Sequence, residues 1–171
     1  EEIRGIGTSS PFKQLSQVLA LLNDDKVELA LKQVELVQKA HPKHAETLKL
    51  MAEIQLQNSQ PEQALSTLRS YHQLFPEDED NAFRFIYLLI AQERSAEAEP
   101  YIDELMKKFS NHPLLNQYKA VARFDEKDYE QALHYSEIAI KQLPQDTQLR
   151  LIAGYSAYFL KKPEIANQHL S

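Results

Sequence analysis

The chain has no cysteine and only three glycines, two of them within its first seven residues. Without cysteine there can be no disulfide framework, thiolate metal site or thiol nucleophile, and that absence suits a reducing cytosol and a disulfide-free periplasm equally. With so little glycine, the positive-φ turns that β-hairpins need are nearly excluded, and helix is the regular structure left. Long apolar runs are missing too: the stretch through Ile86 to Ala91 is far short of the roughly 20 residues that span a bilayer. Positive charge is in deficit, with 19 Lys and Arg against 25 Asp and Glu and a formal charge of −6. That balance argues against a nucleic-acid partner, since phosphate-backbone binding works by counterion release from clustered cations.

What the chain does contain is internal repetition. Ala30, Ala64, Ala98, Ala132 and Ala166 each stand 34 residues after the last, the spacing of a helix-turn-helix repeat. Other columns keep the same step. Twelve residues after the alanine come Pro42, Pro76, Ser110 and Pro144, and twelve before it lie Val18, Ala52, Ile86, Ala120 and Gly154. Large apolar residues precede it by eight (Leu22, Leu56, Ile90, Phe124, Tyr158), and Val34, Leu68, Ile102, Ser136 and Leu170 follow it by four.

These columns imply two antiparallel helices per repeat, the second closed by a proline that cannot continue it. The small residue lets one helix backbone approach its partner closely. Helices are predicted at 11–23, 26–40, 44–57, 61–75, 79–92, 95–109, 113–125, 128–142, 146–160 and from 163 onward, an all-α chain. Pro100, near the start of the sixth helix, predicts a slight kink or a loosened first turn. Residues 1–10 match no repeat and are expected to be a linker or arm; residues 11–171 form one domain of five repeats, the last truncated. The chain starts without a leader pattern and stops in mid-repeat, so a piece of a longer protein is expected.

The columns resemble the tetratricopeptide repeat, with small residues at its eighth and twentieth positions and proline at its thirty-second, in Met51-Ala52 with Ala64 and Pro76 and in Ala153-Gly154 with Ala166. At the fourth position, where the family often has tryptophan, this chain has Gln14, Leu48, Ala82, Asn116 and Arg150. His112 to Ala120, Lys127 to Ala132 and Leu149 to Gly154 are similar to tetratricopeptide lipoproteins that accompany bacterial PEP-CTERM/exosortase and exopolysaccharide systems. The family resemblance implies a right-handed α-α superhelix with a concave face lined by the first helix of each pair. The narrower one implies a periplasmic, lipid-anchored scaffold for protein partners in polysaccharide export or protein sorting. The alternatives are a cytoplasmic regulatory or targeting module attached to a catalytic domain elsewhere in a longer chain, and self-association through an uncapped C-terminal end.

The family's inward positions fall on Leu15, Leu19, Lys49, Glu53, Phe83, Arg84, Tyr87, Gln117, Val121, Leu151 and Tyr155. The paired Lys, Asn and Arg set with which chaperone-binding members hold a C-terminal carboxylate is lacking. Phe83, Tyr87, Val121 and Tyr155 suggest an apolar peptide or helix as ligand, because aromatic anchors carry much interface energy; helix-spaced aromatics can equally be packing. His41 and His44 flank a turn, two ligands where zinc wants three or four, and are expected to be exposed turn residues. Glu77-Asp78-Glu79-Asp80 precedes a helix and is expected to cap it. No motif with a catalytic mechanism is present, and no enzyme activity, metal or cofactor is expected.

Overall fold

A computed structural model describes residues 10 to 171; residues 1–9, most of the expected arm, lie outside the described residues. Ten α-helices follow one another and no strand occurs among the described residues: α1 (Pro11–Asn23), α2 (Val27–Ala40), α3 (Ala45–Gln57), α4 (Pro61–Leu74), α5 (Glu79–Ala91), α6 (Ser95–Lys108), α7 (Pro113–Asp125), α8 (Tyr129–Ile140), α9 (Thr147–Phe159) and α10 (Pro163–Leu170). Ser10 belongs with α1, since its carbonyl accepts the Lys13 amide at 3.0 Å. The chain divides between Phe85 and Ile86 into two compact units. In the first, α1 packs on α2, α2 on α3 and α3 on α4; in the second, α6 packs on α7, α7 on α8, α8 on α9 and α9 on α10, and α7 also touches α9.

The alanine column is the seam of these pairs. Ala30, Ala64, Ala98 and Ala132 have no exposed surface, and neither do Val34, Leu68, Ile102 and Ser136, one turn further on. Burying such side chains is the main favourable term in packing the pairs. Leu170 departs from its column and is exposed; it lies across Gly154, where a Cβ would stand 2.5 Å from the leucine side chain. Pro100 sits inside an unbroken α6, whose first turn is closed by the Glu97 and Ala98 amides on the Arg94 carbonyl at 3.1 and 3.3 Å. The loosened first turn is therefore not seen.

Two kinds of turn alternate. Between the helices of each pair, Asp25, Ser59, Glu93, Lys127 and Lys161 take φ between 55° and 63°, again 34 residues apart. At each, two backbone bonds close the preceding helix, as where Lys127 N donates to Phe124 O at 2.9 Å and Asp128 N to Arg123 O at 2.9 Å. This is the Schellman arrangement, which usually places glycine at the left-handed residue. The scarcity of glycine excluded hairpins but not positive φ: the turn's two hydrogen bonds hold non-glycine residues there. Left-handed φ costs such a residue about 1–2 kcal/mol, and glycine returns about 0.4–1 kcal/mol of that through the unfolded chain. Lys127→Gly is thus expected to stabilise by about 0.5–1 kcal/mol, read as a higher urea midpoint at unchanged slope; a lower midpoint would show that Lys127 does more than occupy the turn.

The second turn joins one pair to the next. His41, Phe75, Phe109 and Leu143 donate back to Val37, Tyr71, Leu105 and Ala139 carbonyls at 2.8 to 2.9 Å, so Ser110 makes the same turn as the prolines of its column. At the family's tryptophan position, polar side chains stitch it: Asn116 Nδ2 donates to Ser110 O at 3.3 Å and His112 O at 3.0 Å, and Arg150 Nε to Pro144 O at 3.0 Å. His44, Asp78, His112 and Asp146 then stand at the head of the next helix. Asp78 Oδ1 accepts the Asn81 amide at 3.0 Å and Asp146 Oδ1 that of Leu149 at 2.9 Å, which bears out capping by the acidic run. His44 is not an exposed turn residue: its Nδ1 lies 2.8 Å from Thr47 Oγ1 and accepts the Thr47 amide at 3.3 Å, and Phe12 meets its ring edge-on at 5.2 Å.

One buried charge departs from the columns. Lys119 of α7 is almost wholly buried and its Nζ bonds Glu99 at 2.5 Å and Asp103 at 2.6 Å, both on α6. Arg123 shares Glu99.

Candidate partner-binding surface

The first-unit positions expected to face inward hold a polar network whose members pair with one another. Lys49 on α3 pairs with Asp78 at 2.9 Å and lies 5.3 Å over the Tyr71 ring, while the Tyr71 hydroxyl donates to Asp78 at 2.6 Å. The hydrogen bonds to Asp78 and Tyr71 push the Lys49 pKa up. The Tyr71 hydrogen bond, aided by Lys49, pulls Asp78 down against the effect of burial, and burial raises Tyr71. Arg84 on α5 pairs with Glu53 on α3 at 2.8 Å. A cavity of about 340 Å³ lined by Lys49, Asp78, Asp80, Asn81 and Arg84 opens here. Its cations already face carboxylates, and an exposed pair of this kind contributes little beyond orientation. Phe83 is half-buried.

The second unit is different in character. Gln117 on α7 donates to Asp146 at 2.8 Å, so one carboxylate both caps α9 and fastens it to α7, as Asp78 joins α5 to α3 through Lys49 in the first unit. Val121, one turn after Gln117, is half-buried. Tyr87 on α5 and Leu151 and Tyr155 on α9 are 59%, 44% and 47% exposed. Tyr118 lies close to Tyr87: burial, and then that neighbouring hydroxyl, hold its pKa up. The four aromatic and apolar positions proposed as anchors thus divide, with Phe83 and Val121 contributing to packing and Tyr87 and Tyr155 facing solvent. Among the α1 positions Leu15 is buried and belongs to the core, whereas Leu19 is exposed.

Sequence reasoning missed the carboxylate staples, although the head-of-helix column His44, Asp78, His112, Asp146 was readable at the same 34-residue step. It also missed an aromatic run: Phe124, Tyr129, Phe159 and Tyr158 meet in succession, Tyr129 and Phe159 stacked at 4.5 Å. Among the described residues no group of three or more His, Asp or Glu is placed to hold a metal, and no described helix is long and apolar enough to cross a membrane.

The tetratricopeptide repeat family model matches residues 11–156. No curated protein matches the chain by sequence. Solved structures do resemble it: MamA from Desulfovibrio magneticus RS-1, residues 41 to the end, at 13% identity and a TM-score of 0.76 over 94% of this chain and 90% of that one; a further MamA protein at 12% and 0.79, over 94% and 87%; and YrrB, described as a tetratricopeptide protein with an unusual peptide-binding site, at 15% and 0.77, over 94% and 83%. At such identities the likeness shows the fold, an all-helical repeat solenoid, whose family members are typically non-catalytic protein-binding scaffolds. Repeat columns, paired helices and family model agree, and the chain belongs to the tetratricopeptide repeat family.

Proposed function

We propose that this chain is a non-catalytic scaffold that holds a protein or peptide against Tyr87, Leu151 and Tyr155 of its second unit, in a bacterial envelope pathway of exopolysaccharide export or protein sorting. The observation that carries the site is the exposure of those three residues at inward positions. Tyrosine there offers a large, rigid contact with few torsions to immobilise, and aromatic anchors dominate measured interfaces. Gln117 and Val121 on α7 flank them, and Gln117 is held in place by Asp146. Lys49, Glu53, Phe83 and Arg84 belong to the first unit, whose cations already face carboxylates, and the proposed site does not rest on them. The peptide-binding site named for YrrB supports a peptide ligand by analogy of fold. The envelope setting, periplasmic and lipid-anchored, rests on the likeness of His112 to Ala120, Lys127 to Ala132 and Leu149 to Gly154 to the lipoproteins of such systems.

The test is capture from the envelope fraction of the source cell, native chain beside Tyr87→Ala/Tyr155→Ala, with circular dichroism confirming that both are helical. The native chain should retain an envelope or export component that the variant binds at least about thirtyfold less well, since two aromatic truncations each remove on the order of 1 kcal/mol or more. Equal recovery by both would remove the tyrosine site, and equal recovery of cytosolic enzymes would favour a regulatory module instead.

A further inference from the structure

The five Schellman turns are built alike and differ in the residues they carry. At the left-handed residue and its successor the first four have Asp25-Lys26, Ser59-Gln60, Glu93-Arg94 and Lys127-Asp128. Each of these pairs is neutral or holds one charge of each sign. The fifth has Lys161-Lys162. Nothing in the turn's hydrogen bonding asks for this, since Lys161 N to Tyr158 O at 3.0 Å and Lys162 N to Ala157 O at 2.9 Å repeat the bonds of the other four.

The fifth turn also exposes aromatics where the others do not. Tyr158 and Phe159 end α9 and are 66% and 50% exposed, whereas Leu22, Leu56, Ile90 and Phe124, the counterparts of Tyr158, are half-buried. Phe159 is fixed on one face by its stack on Tyr129 and on its edge by Tyr158 at 5.6 Å. A slot of about 520 Å³ opens between Tyr158, Phe159, Lys161, Lys162 and Pro163, of a size to admit one or two side chains. Its described lining is apolar apart from two positive charges and includes no acidic residue, in a chain whose formal charge is −6.

We propose that this ledge, one helical turn beyond Tyr155 on α9, is a second interaction surface, and that it takes an acidic peptide segment of a partner protein that carries an aromatic side chain. The aromatic enters against Tyr158 and Phe159, where stacking adds to area burial, and carboxylates on either side meet Lys161 and Lys162. Both lysines sit in a turn closed by two backbone bonds, so little backbone ordering is left to the moment of binding. Their field opposes that of the chain as a whole, which limits the ledge to ligands whose negative charge is local and close.

The test uses the whole chain and a fluorescein-labelled peptide of alternating Asp and Phe, read by fluorescence anisotropy. Binding that weakens as salt rises is expected. It should be at least about tenfold weaker, about 1.4 kcal/mol, for the Asp-to-Lys peptide and for the Phe-to-Ala peptide, because charge and anchor both contribute. Lys161→Glu/Lys162→Glu and, separately, Tyr158→Ala should each cost about tenfold or more, while Tyr87→Ala, on α5, leaves the affinity unchanged. The charge reversal lies in an exposed turn and does not touch the Phe159 stack, so it tests the ledge even where Tyr158→Ala disturbs folding. No binding at millimolar peptide, equal binding of the Asp-to-Lys peptide, or indifference to the lysine reversal would overturn the proposal; loss of binding only in the Tyr87→Ala variant would move the peptide to the Tyr87 surface.

Discussion

Lys119→Met should destabilise the second unit by about 2–3 kcal/mol, seen as a lower urea midpoint by circular dichroism. Breaking a buried ion pair from one side costs about 3–5 kcal/mol when the remaining charge is stranded. Here the loss is smaller, because Glu99 keeps Arg123 and Asp103, half exposed, returns to water. Burial alone would lower the Lys119 pKa, but its hydrogen bonds to Asp103 and Glu99 outweigh that and raise it. The stability it supplies is therefore fully present below the ordinary lysine value of 10.5 and is lost as pH climbs through the higher folded value. The deficit of Lys119→Met should accordingly be flat across neutral pH and shrink only in strong alkali. Lys119→Met/Glu99→Leu should recover part of it, since an apolar pair of similar volume is often as stable as the ion pair it replaces. A deficit under about 0.5 kcal/mol would mean that the network is solvated and the lysine stem alone packs.

That lysine also marks where the sequence was readable and where it was not. The helices were legible because each core column recurs at one step: every described helix end lies within two residues of its predicted place, and the alanine, Val34 and Val18 columns are buried almost throughout. Lys119 stands in a column with Gln17 in the first repeat and Met51, Phe85 and Ala153 in the others, a visible anomaly beside its three apolar counterparts. Its partners Glu99 and Asp103 were not visible, because which carboxylates on α6 meet it depends on how the two helices are set against each other. The left-handed turns were hidden for another reason. Composition ties positive φ to glycine, but two hydrogen bonds per turn impose it here on Asp25, Ser59, Glu93, Lys127 and Lys161. For the surface, the family resemblance put Tyr87, Leu151 and Tyr155 on columns expected to face inward, but neither it nor a period of 34 says anything of exposure. Phe83 and Val121, on the same columns, turned out half-buried. Lys161 and Lys162 carry no signal of their own in the sequence, and their significance appears once the five turns are known to share one backbone.

Ala132→Leu should cost about 2–3 kcal/mol and Ala20→Leu almost nothing, though both exchange one good helix former for another. Ala132 has no exposed surface and lies in a cluster with Ala120, Ala139, Leu149 and Ile152. Ala120 is the small residue of the first helix in that same repeat, so α7 and α8 meet through two side chains of one carbon each. A leucine adds three carbon atoms between helix backbones already in contact, and a core at crystal-like density yields only by shifting a backbone or forcing a side chain off its rotamer. Ala20 is exposed on α1 and meets no such limit. Ala132→Gly sets the opposite bound: it leaves the approach open and should cost about 1 kcal/mol through helix propensity, plus part of the transfer energy of one methyl. If the leucine variant were as stable as the native chain, the recurrent alanine would not be setting the distance between paired helices, and its 34-residue recurrence would need another cause. If instead leucine costs more than glycine, close approach is what the column secures, and the spacing of α7, α8 and α9 that lets Gln117 reach Asp146 depends on it.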